Sequence, residues 1–82
     1  MLVKTITVVR DRILQLCEQR NLTINKLANI SALPPSSLKN ILYGKSKNPK
    51  IVTIKMLCDG LEITLGEFFT TPEFNNLEQE IK

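Results

Sequence analysis

Residues 22–44 read LTINKLANISALPPSSLKNILYG, and their apolar residues form two runs at helical spacing with a short break between them. Steps of three and four residues place side chains on one side of a helix, which then packs against a core. The stretch therefore predicts two short, half-buried helices joined by a tight turn at residues 31–33. The predicted inward-facing residues are Leu27, Ala28, Ile30, Leu33, Leu38, Ile41 and Leu42.

The starts of both helices carry recognisable signals. Thr23 can cap the first helix because its hydroxyl can accept an amide proton of the first turn, and Leu22 and Leu27 have the spacing of a hydrophobic staple. Pro35 suits the first position of the second helix, since a proline lacks the amide that would be unpaired there. Pro34 precedes it and offers no side-chain acceptor, so the sequence leaves the capping of this helix open.

This order of residues resembles the helix-turn-helix of the phage repressor and Cro-like family, also called the XRE family, whose pattern runs Leu-Thr-Gln-x-x-Leu-Ala-x-x-x-Gly-Val-Ser. The stretch GKSKNPKIVTIKMLCDGLEITLGEFF resembles the family's loop and last two helices, and RDRILQLCEQRN resembles its first helix. The resemblance covers roughly residues 10–69. It implies an all-α fold, namely a five-helix lambda-repressor-like DNA-binding domain.

Three positions depart from the family pattern. Ile24 stands where the family has a glutamine that commonly reaches a phosphate or a base, which removes one contact. Ala32 replaces the usual turn glycine, and we expect it to narrow the turn. Pro34 replaces the serine that normally opens the second helix.

The length of 82 residues suits one small domain. We predict a helix-turn-helix domain at residues 1–72, with the motif at 23–43, and a tail or short helix at 73–82. In the tail, Phe74, Leu77 and Ile81 have the spacing of a marginal sixth helix. Three alternatives stay open for this segment: it packs back on the domain, lies across a partner subunit, or frays.

The remaining helices are predicted from the same spacing. Residues 2–9 are rich in β-branched residues, which favours a strand or arm, yet their apolar positions continue a helical stripe, and we favour a first helix over about residues 5–20. A fourth helix is predicted near 51–61 and a short fifth near 64–69, where Thr64 and Glu67 have capping-box spacing. The predicted inward residues of the fourth helix are Ile51, Ile54, Leu57, Cys58 and Leu61.

Charge is distributed unevenly along the chain. Residues 1–58 hold ten lysines and arginines and two acids, a net charge of +8, whereas residues 59–82 hold six acids and one lysine, a net charge of −5. Two ordinary solvated surfaces would also explain this division. Because the basic part coincides with the helix-turn-helix pattern, we favour a surface that docks a polyanion.

The composition argues against several other classes of protein. There is no histidine, and Cys17 and Cys58 are predicted to be buried hydrophobic residues rather than a disulfide or metal ligands, so no metal or cofactor is expected. No nucleophile has a nearby base and no glycine-rich phosphate loop is present, so we expect neither an enzyme nor a small-molecule substrate. The lack of a membrane-length apolar run and of a signal-peptide layout predicts a cytoplasmic protein without a membrane partner.

The outward positions of the second motif helix are the candidate base-reading residues, because the first turn of this helix is expected to enter the major groove of DNA. Asn40 is the strongest candidate, since a carboxamide can pair with both the acceptor and the donor that adenine presents there. Lys39 can read guanine or contact a phosphate. The predicted base-contacting residues are Ser36, Ser37, Lys39 and Asn40.

The resemblance implies that the loop at residues 44–50 holds the sugar-phosphate strand, with Lys50 close to the adjacent minor groove. Gly44 is expected to take the left-handed conformation that often ends a helix. Asn25 and Lys26 lie near the positive N-terminus of the first motif helix, where a phosphate can bind. The predicted phosphate-contacting residues are Asn25, Lys26, Tyr43, Lys45, Lys47 and Lys50.

These observations predict a small transcriptional regulator that binds a double-stranded DNA operator sequence-specifically, with repression as the expected effect. One recognition helix covers few base pairs, so we expect a homodimer that presents two such helices to a two-fold symmetric site. Pro49, Ile51 and the tail are candidate dimer contacts. The alternative is a protein–protein interaction module, such as an antitoxin or an adaptor, built on the same fold.

Overall fold

The computed structural model describes residues 3–81 and forms five α-helices in this part of the chain. Met1, Leu2 and Lys82, which the predicted domain and tail ranges include, lie outside the described residues. The all-α, five-helix fold predicted from the sequence is confirmed. The elements are α1 (Thr5–Gln19), α2 (Ile24–Ile30), α3 (Pro35–Tyr43), α4 (Ile51–Leu61), α5 (Leu65–Phe68) and a 3-10 turn at Pro72–Asn75.

The helices begin where local chemistry favours a start. The Thr23 hydroxyl accepts the Lys26 amide at 3.1 Å, which confirms the predicted cap of α2. Thr64 and Glu67 form the predicted capping box, with both hydrogen bonds 3.0 Å long. Pro35 is the first residue of α3, as predicted, and no side chain caps this helix.

The core is apolar and draws on all five helices. Two positions that were predicted to face inward are instead exposed, by 40% at Ile30 and 60% at Ile51. Both predictions were wrong: Ile30 is the last residue of α2 and Ile51 the first of α4, and the buried side of each helix does not extend to these end positions. The buried cluster consists of Val9, Ile13, Leu16, Cys17, Leu27, Ala28, Leu38, Ile41, Leu42, Ile54, Leu57, Cys58, Leu61 and Phe68.

Two arginines of α1 and Arg20, the residue that follows it, bind the C-terminal ends of three other helices. The last carbonyls of a helix have no partner within it and carry partial negative charge, so a guanidinium is a favourable donor to them. α1 therefore serves as the scaffold that fixes where α3, α4 and α5 end. The hydrogen bonds are Arg10 Nε to Ile41 O (2.6 Å), Arg12 Nε to Phe68 O (2.7 Å), Arg12 Nη2 to Glu67 O (2.7 Å) and Arg20 Nη1 to Leu61 O.

α2 and α4 approach closely where Gly60 of α4 meets the end of α2. A Cβ on Gly60 would overlap the Ser31 hydroxyl oxygen and lie 3.1 Å from the Ile30 carbonyl oxygen. Ser31 is only 4% exposed, and its hydroxyl finds no hydrogen-bond partner within residues 3–81. The small residues at this crossing set the distance between the two helices.

The tail packs back on the domain. A parallel bridge joins Leu77 to Val3, with the Glu78 amide donating to the Val3 carbonyl at 2.8 Å. The α-helix suggested by the spacing of Phe74, Leu77 and Ile81 does not form, because this segment instead takes one 3-10 turn and then runs extended beside the start of α1. Of the three alternatives for the tail, the structure shows the first.

An aromatic cluster holds the 3-10 turn in place. The ring centroids of Phe69 and Phe74 lie 5.0 Å apart and those of Phe68 and Phe69 lie 4.8 Å apart, both in edge-to-face geometry. Phe68 is fully buried. The tail is therefore anchored to α5 by packing and to the start of α1 by backbone hydrogen bonds.

Candidate nucleic-acid interface

α3 presents a polar face to solvent because its leucine and isoleucine side chains all pack into the core. Leu38, Ile41 and Leu42 are buried, and the opposite side of the helix is left open. Of the predicted base-contacting residues, Ser36, Lys39 and Asn40 are exposed, whereas Ser37 is half-buried. Tyr43, at the end of the helix, is 68% exposed. The predicted outward face is present, with Ser37 at its edge.

The turn before α3 contains a residue in the left-handed region. Ala32 has a φ of 56°, and the Leu33 amide that follows donates to the Ala28 carbonyl at 2.9 Å. An L-residue with a Cβ is disfavoured in this conformation. Alanine at this position, where the family pattern has glycine, therefore strains the backbone.

Gly44 ends α3 without adopting the predicted left-handed conformation, since its φ is −101°. A Cβ at this position would lie 2.6 Å from the Asn40 side-chain oxygen and 2.9 Å from the Asn40 Cα atom. Glycine is needed here for this close approach, and the prediction gave the wrong reason for its presence. The Asn40 carboxamide consequently lies against the C-terminal end of α3.

The loop from Gly44 to Lys50 carries three exposed lysines, Lys45, Lys47 and Lys50. Arg10 fixes this loop, because its Nη2 donates to the Ser46 carbonyl at 3.3 Å while its Nε holds α3 at Ile41. One side chain of α1 thus positions both α3 and the loop that follows it. The sequence analysis did not predict this role. In the sequence, the only signal for it is that Arg10 directly follows Val9, which is buried.

The first turn of α2 supplies the last two predicted residues. Asn25 and Lys26 are both exposed. The Lys26 backbone amide already donates to the Thr23 hydroxyl, so the side chains remain as the donors available to a phosphate. The ten predicted site residues therefore lie on three elements: the start of α2, the outer face of α3 and the loop that follows it.

Fewer basic side chains are available to a ligand than the sequence suggested. Arg10, Arg12 and Arg20 are engaged with helix carbonyls, and Lys55 pairs with Asp59 on the exposed side of α4. The free basic side chains of the three site elements belong to five lysines, all of them predicted contacts. They are Lys26, Lys39, Lys45, Lys47 and Lys50.

Both cysteines are buried and carry free thiols, as predicted. Burial raises the pKa of the Cys17 thiol. The pKa of the Cys58 thiol is also raised, and burial is the largest of its causes. In residues 3–81, histidine, cysteine and acidic side chains form no group of three that could hold a metal ion. Over the same residues, no helix combines the length and apolar character needed to span a membrane.

Comparisons with known proteins agree with this geometry. A family model for the Cro/C1-type HTH DNA-binding domain matches residues 12–73. The crystal structure of the prophage Lp1 protein 11 is 33% identical, with a TM-score of 0.79, over 93% of this chain and 100% of that one. An HTH_3 family transcriptional regulator from Vibrio cholerae shares the fold, with 24% identity and a TM-score of 0.73, over 83% of this chain and 38% of that one. No curated protein matches the sequence.

Proposed function

The chain belongs to the Cro/C1-type helix-turn-helix DNA-binding family, and from that premise we propose that it is a sequence-specific regulator of transcription that binds double-stranded DNA. One observation carries the proposal: α3 turns an exposed polar face outward on a fixed scaffold, and a loop with three exposed lysines follows it directly. A polar helix face of this kind fits the major groove, and lysines beside it suit the phosphates that flank the groove.

Base recognition is assigned to the outer face of α3. Asn40 pairs with adenine through its carboxamide, Lys39 donates to guanine, and Ser36 reaches a neighbouring base edge. Ser37 is half-buried, so its part in base reading is smaller than that of Ser36. Because Asn40 lies in the C-terminal half of α3, we assign adenine recognition to that half of the helix.

Phosphate contacts are assigned to the loop and to α2. Lys45, Lys47 and Tyr43 hold the sugar-phosphate strand, and Lys50 lies closest to the adjacent minor groove. Asn25 and Lys26 contact a second phosphate from the start of α2. Arg10 does not touch DNA in this arrangement, but it fixes the loop and α3 relative to each other.

The regulator acts as a homodimer on a two-fold symmetric operator, because two recognition helices one helical turn apart, at about 34 Å, multiply the affinity of one. Repression is the expected effect, since occupancy of the operator is enough to exclude another DNA-binding protein. We expect this regulator to act in the cytoplasm.

Salt titration tests the proposal with random-sequence duplex as the ligand. The logarithm of the association constant is expected to fall by about 0.9 per logarithmic unit of salt for each phosphate contacted, hence by about 4 to 5 if all five free lysines take part. Failure to bind duplex at low salt would contradict the proposal and favour the alternative, an antitoxin-like or adaptor-like module that binds a protein.

A further inference from the structure

The leading end of α3 is apolar and exposed. Pro34 immediately precedes the helix and Pro35 is its first residue, and both are open to solvent. Ser36, which comes next, is the first exposed polar side chain of the helix. The outer face of α3 therefore begins with a carbon surface formed by two adjacent proline rings.

Residues 32–35 have no hydrogen-bond donor to offer to a base. Their sequence is Ala-Leu-Pro-Pro, in which no side chain carries a polar atom and the two prolines lack an amide hydrogen. The amides of Ala32 and Leu33 donate to carbonyls of α2, at 3.2 and 2.9 Å. The Pro34 carbonyl accepts the Ser37 amide at 3.0 Å. This end of α3 therefore meets a base edge through carbon atoms.

The start of the helix does not by itself account for Pro34. Pro35 already suits the first helical position, whereas Pro34 occupies the cap position and provides no side-chain acceptor there. A serine at the cap position would stabilise the helix, so the chain forgoes a cap in exchange for a second ring. Because proline has a fixed φ and almost no side-chain entropy to lose, the two rings can make an apolar contact at little entropic cost.

We propose that Pro34 and Pro35 select a thymine by packing against its 5-methyl group, which is the only methyl group that an unmodified base pair presents in the major groove. This inference rests on the proposed function, since it requires α3 to lie in that groove. Pro35 and Asn40 are separated by about 7.5 Å along the helix, so the thymine is expected about two base-pair steps from the adenine that Asn40 reads.

Replacement of thymine by deoxyuridine tests the contact, because it removes the 5-methyl group and leaves base pairing intact. Preferred sequences are first selected from a random duplex pool, and each thymine of a preferred sequence is then replaced in turn. At one position of each half-site, uracil is expected to weaken binding about fourfold, the effect of one methyl group that is no longer buried. Equal affinity for the parent and for every uracil-substituted duplex would overturn the proposal.

A proline variant assigns the methyl effect to these residues. Pro34→Ser with Pro35→Ser places a capping hydroxyl before α3, so the variant is expected to fold, and its affinities for the thymine and uracil duplexes should agree within about twofold. Asn40→Ala is the matched comparison, because it removes a polar contact and leaves both rings in place. It is expected to retain the fourfold uracil effect. A uracil effect in the proline variant as large as in the wild type would overturn the proposal.

Methylated cytosine provides the converse test and needs no protein variant. With a cytosine–guanine pair at the sensitive position, 5-methylcytosine restores the methyl group without restoring the thymine oxygen. The wild type is expected to bind this duplex about fourfold more tightly than the unmethylated one. Equal binding of the two duplexes would show that the methyl group is not what is recognised, and would overturn the proposal.

The same titrations separate this inference from the proposed function. A protein that binds duplex and selects a sequence, but whose affinity does not respond to the thymine methyl group, would refute the inference and leave DNA binding in place. Failure to bind any duplex at low salt would refute the proposed function, and this inference with it.

Discussion

Ala32 has a backbone conformation that is unfavourable for a residue with a Cβ atom. At a φ of 56°, alanine is disfavoured by about 1 to 2 kcal/mol, whereas glycine is not, although glycine loses more entropy on folding. Ala32→Gly is therefore expected to raise the free energy of unfolding by about 0.5 to 1 kcal/mol, as measured by urea denaturation. Ala28→Gly, inside α2, should lower it, and a lower stability for Ala32→Gly would contradict the assignment of strain.

Asn40 and Lys47 are expected to contribute to DNA binding in different ways. Asn40→Ala should reduce discrimination at one base pair by about 1 to 3 kcal/mol, because a bidentate contact to adenine is lost. Lys47→Ala should weaken binding to all sequences and lower the salt slope by about one. Competition assays with specific and random duplexes distinguish the two, and equal effects would refute the division between base and phosphate contacts.

At the level of single residues, the sequence predicts which side of α3 is exposed, but it does not predict the local conformation around Gly44. The helical spacing of Leu38, Ile41 and Leu42 fixes which side of α3 faces the core, and the polar side follows from it. The conformation of Gly44 depends on how closely Asn40 approaches it, which no local pattern records. The same spacing rule failed at Ile51 because burial also requires a neighbouring element.

Among the elements, α1 controls the position of α3 through Arg10. Arg10→Met keeps the aliphatic volume but removes two hydrogen bonds to carbonyls, and we expect a loss of about 1 to 3 kcal/mol in the free energy of unfolding. DNA affinity of the folded protein should also fall several-fold, because the loop loses its tie to α1. Duplex binding and urea denaturation of the same preparation measure both effects.

Arg12→Met is the matched control, since Arg12 makes equivalent bonds at the end of α5, away from the predicted contacts. It is expected to lower stability by a similar amount and to leave DNA affinity unchanged. An equal loss of affinity in both variants would show that Arg10 acts only through stability. Arg10→Lys is not expected to restore binding, because an ammonium cannot reproduce the planar fork of a guanidinium.

The limits of helices were predictable where they depend on neighbours in sequence. Thr23 and Thr64 mark the starts of α2 and α5 through hydrogen bonds with residues three positions later, and Pro35 marks the start of α3 through its fixed backbone angle. The tail was not predictable in the same way, because Leu77 pairs with Val3, which is far away in sequence. The roles of Arg10, Arg12 and Arg20 could not be predicted either, because they depend on carbonyl groups that are distant in sequence. From the sequence alone, these residues could be counted only as positive charges.

The molecule as a whole is expected to lose stability in alkaline solution through its two thiols. Free cysteine ionises near pH 8.5, and burial raises the pKa of Cys17 and Cys58 in the folded state. Above the unfolded pKa, the unfolded chain releases protons that the folded chain retains, so the free energy of unfolding declines until the folded pKa is passed. Denaturation at a series of pH values measures this slope.

A double variant, Cys17→Ala with Cys58→Ala, provides the comparison. It should be less stable at neutral pH, since two buried side chains are shortened, but its stability should vary less between about pH 8 and 10. Identical slopes for the variant and the wild type would assign the alkaline effect to other groups.

The bridge between Val3 and Leu77 has a consequence for the order in which the chain matures. Translation runs from Val3 toward Leu77, so this pairing cannot close until the ribosome has synthesised Leu77. The helix-turn-helix, in contrast, is held by contacts among residues already synthesised. A nascent chain can therefore fold α2 and α3 before the tail has paired with the start of α1.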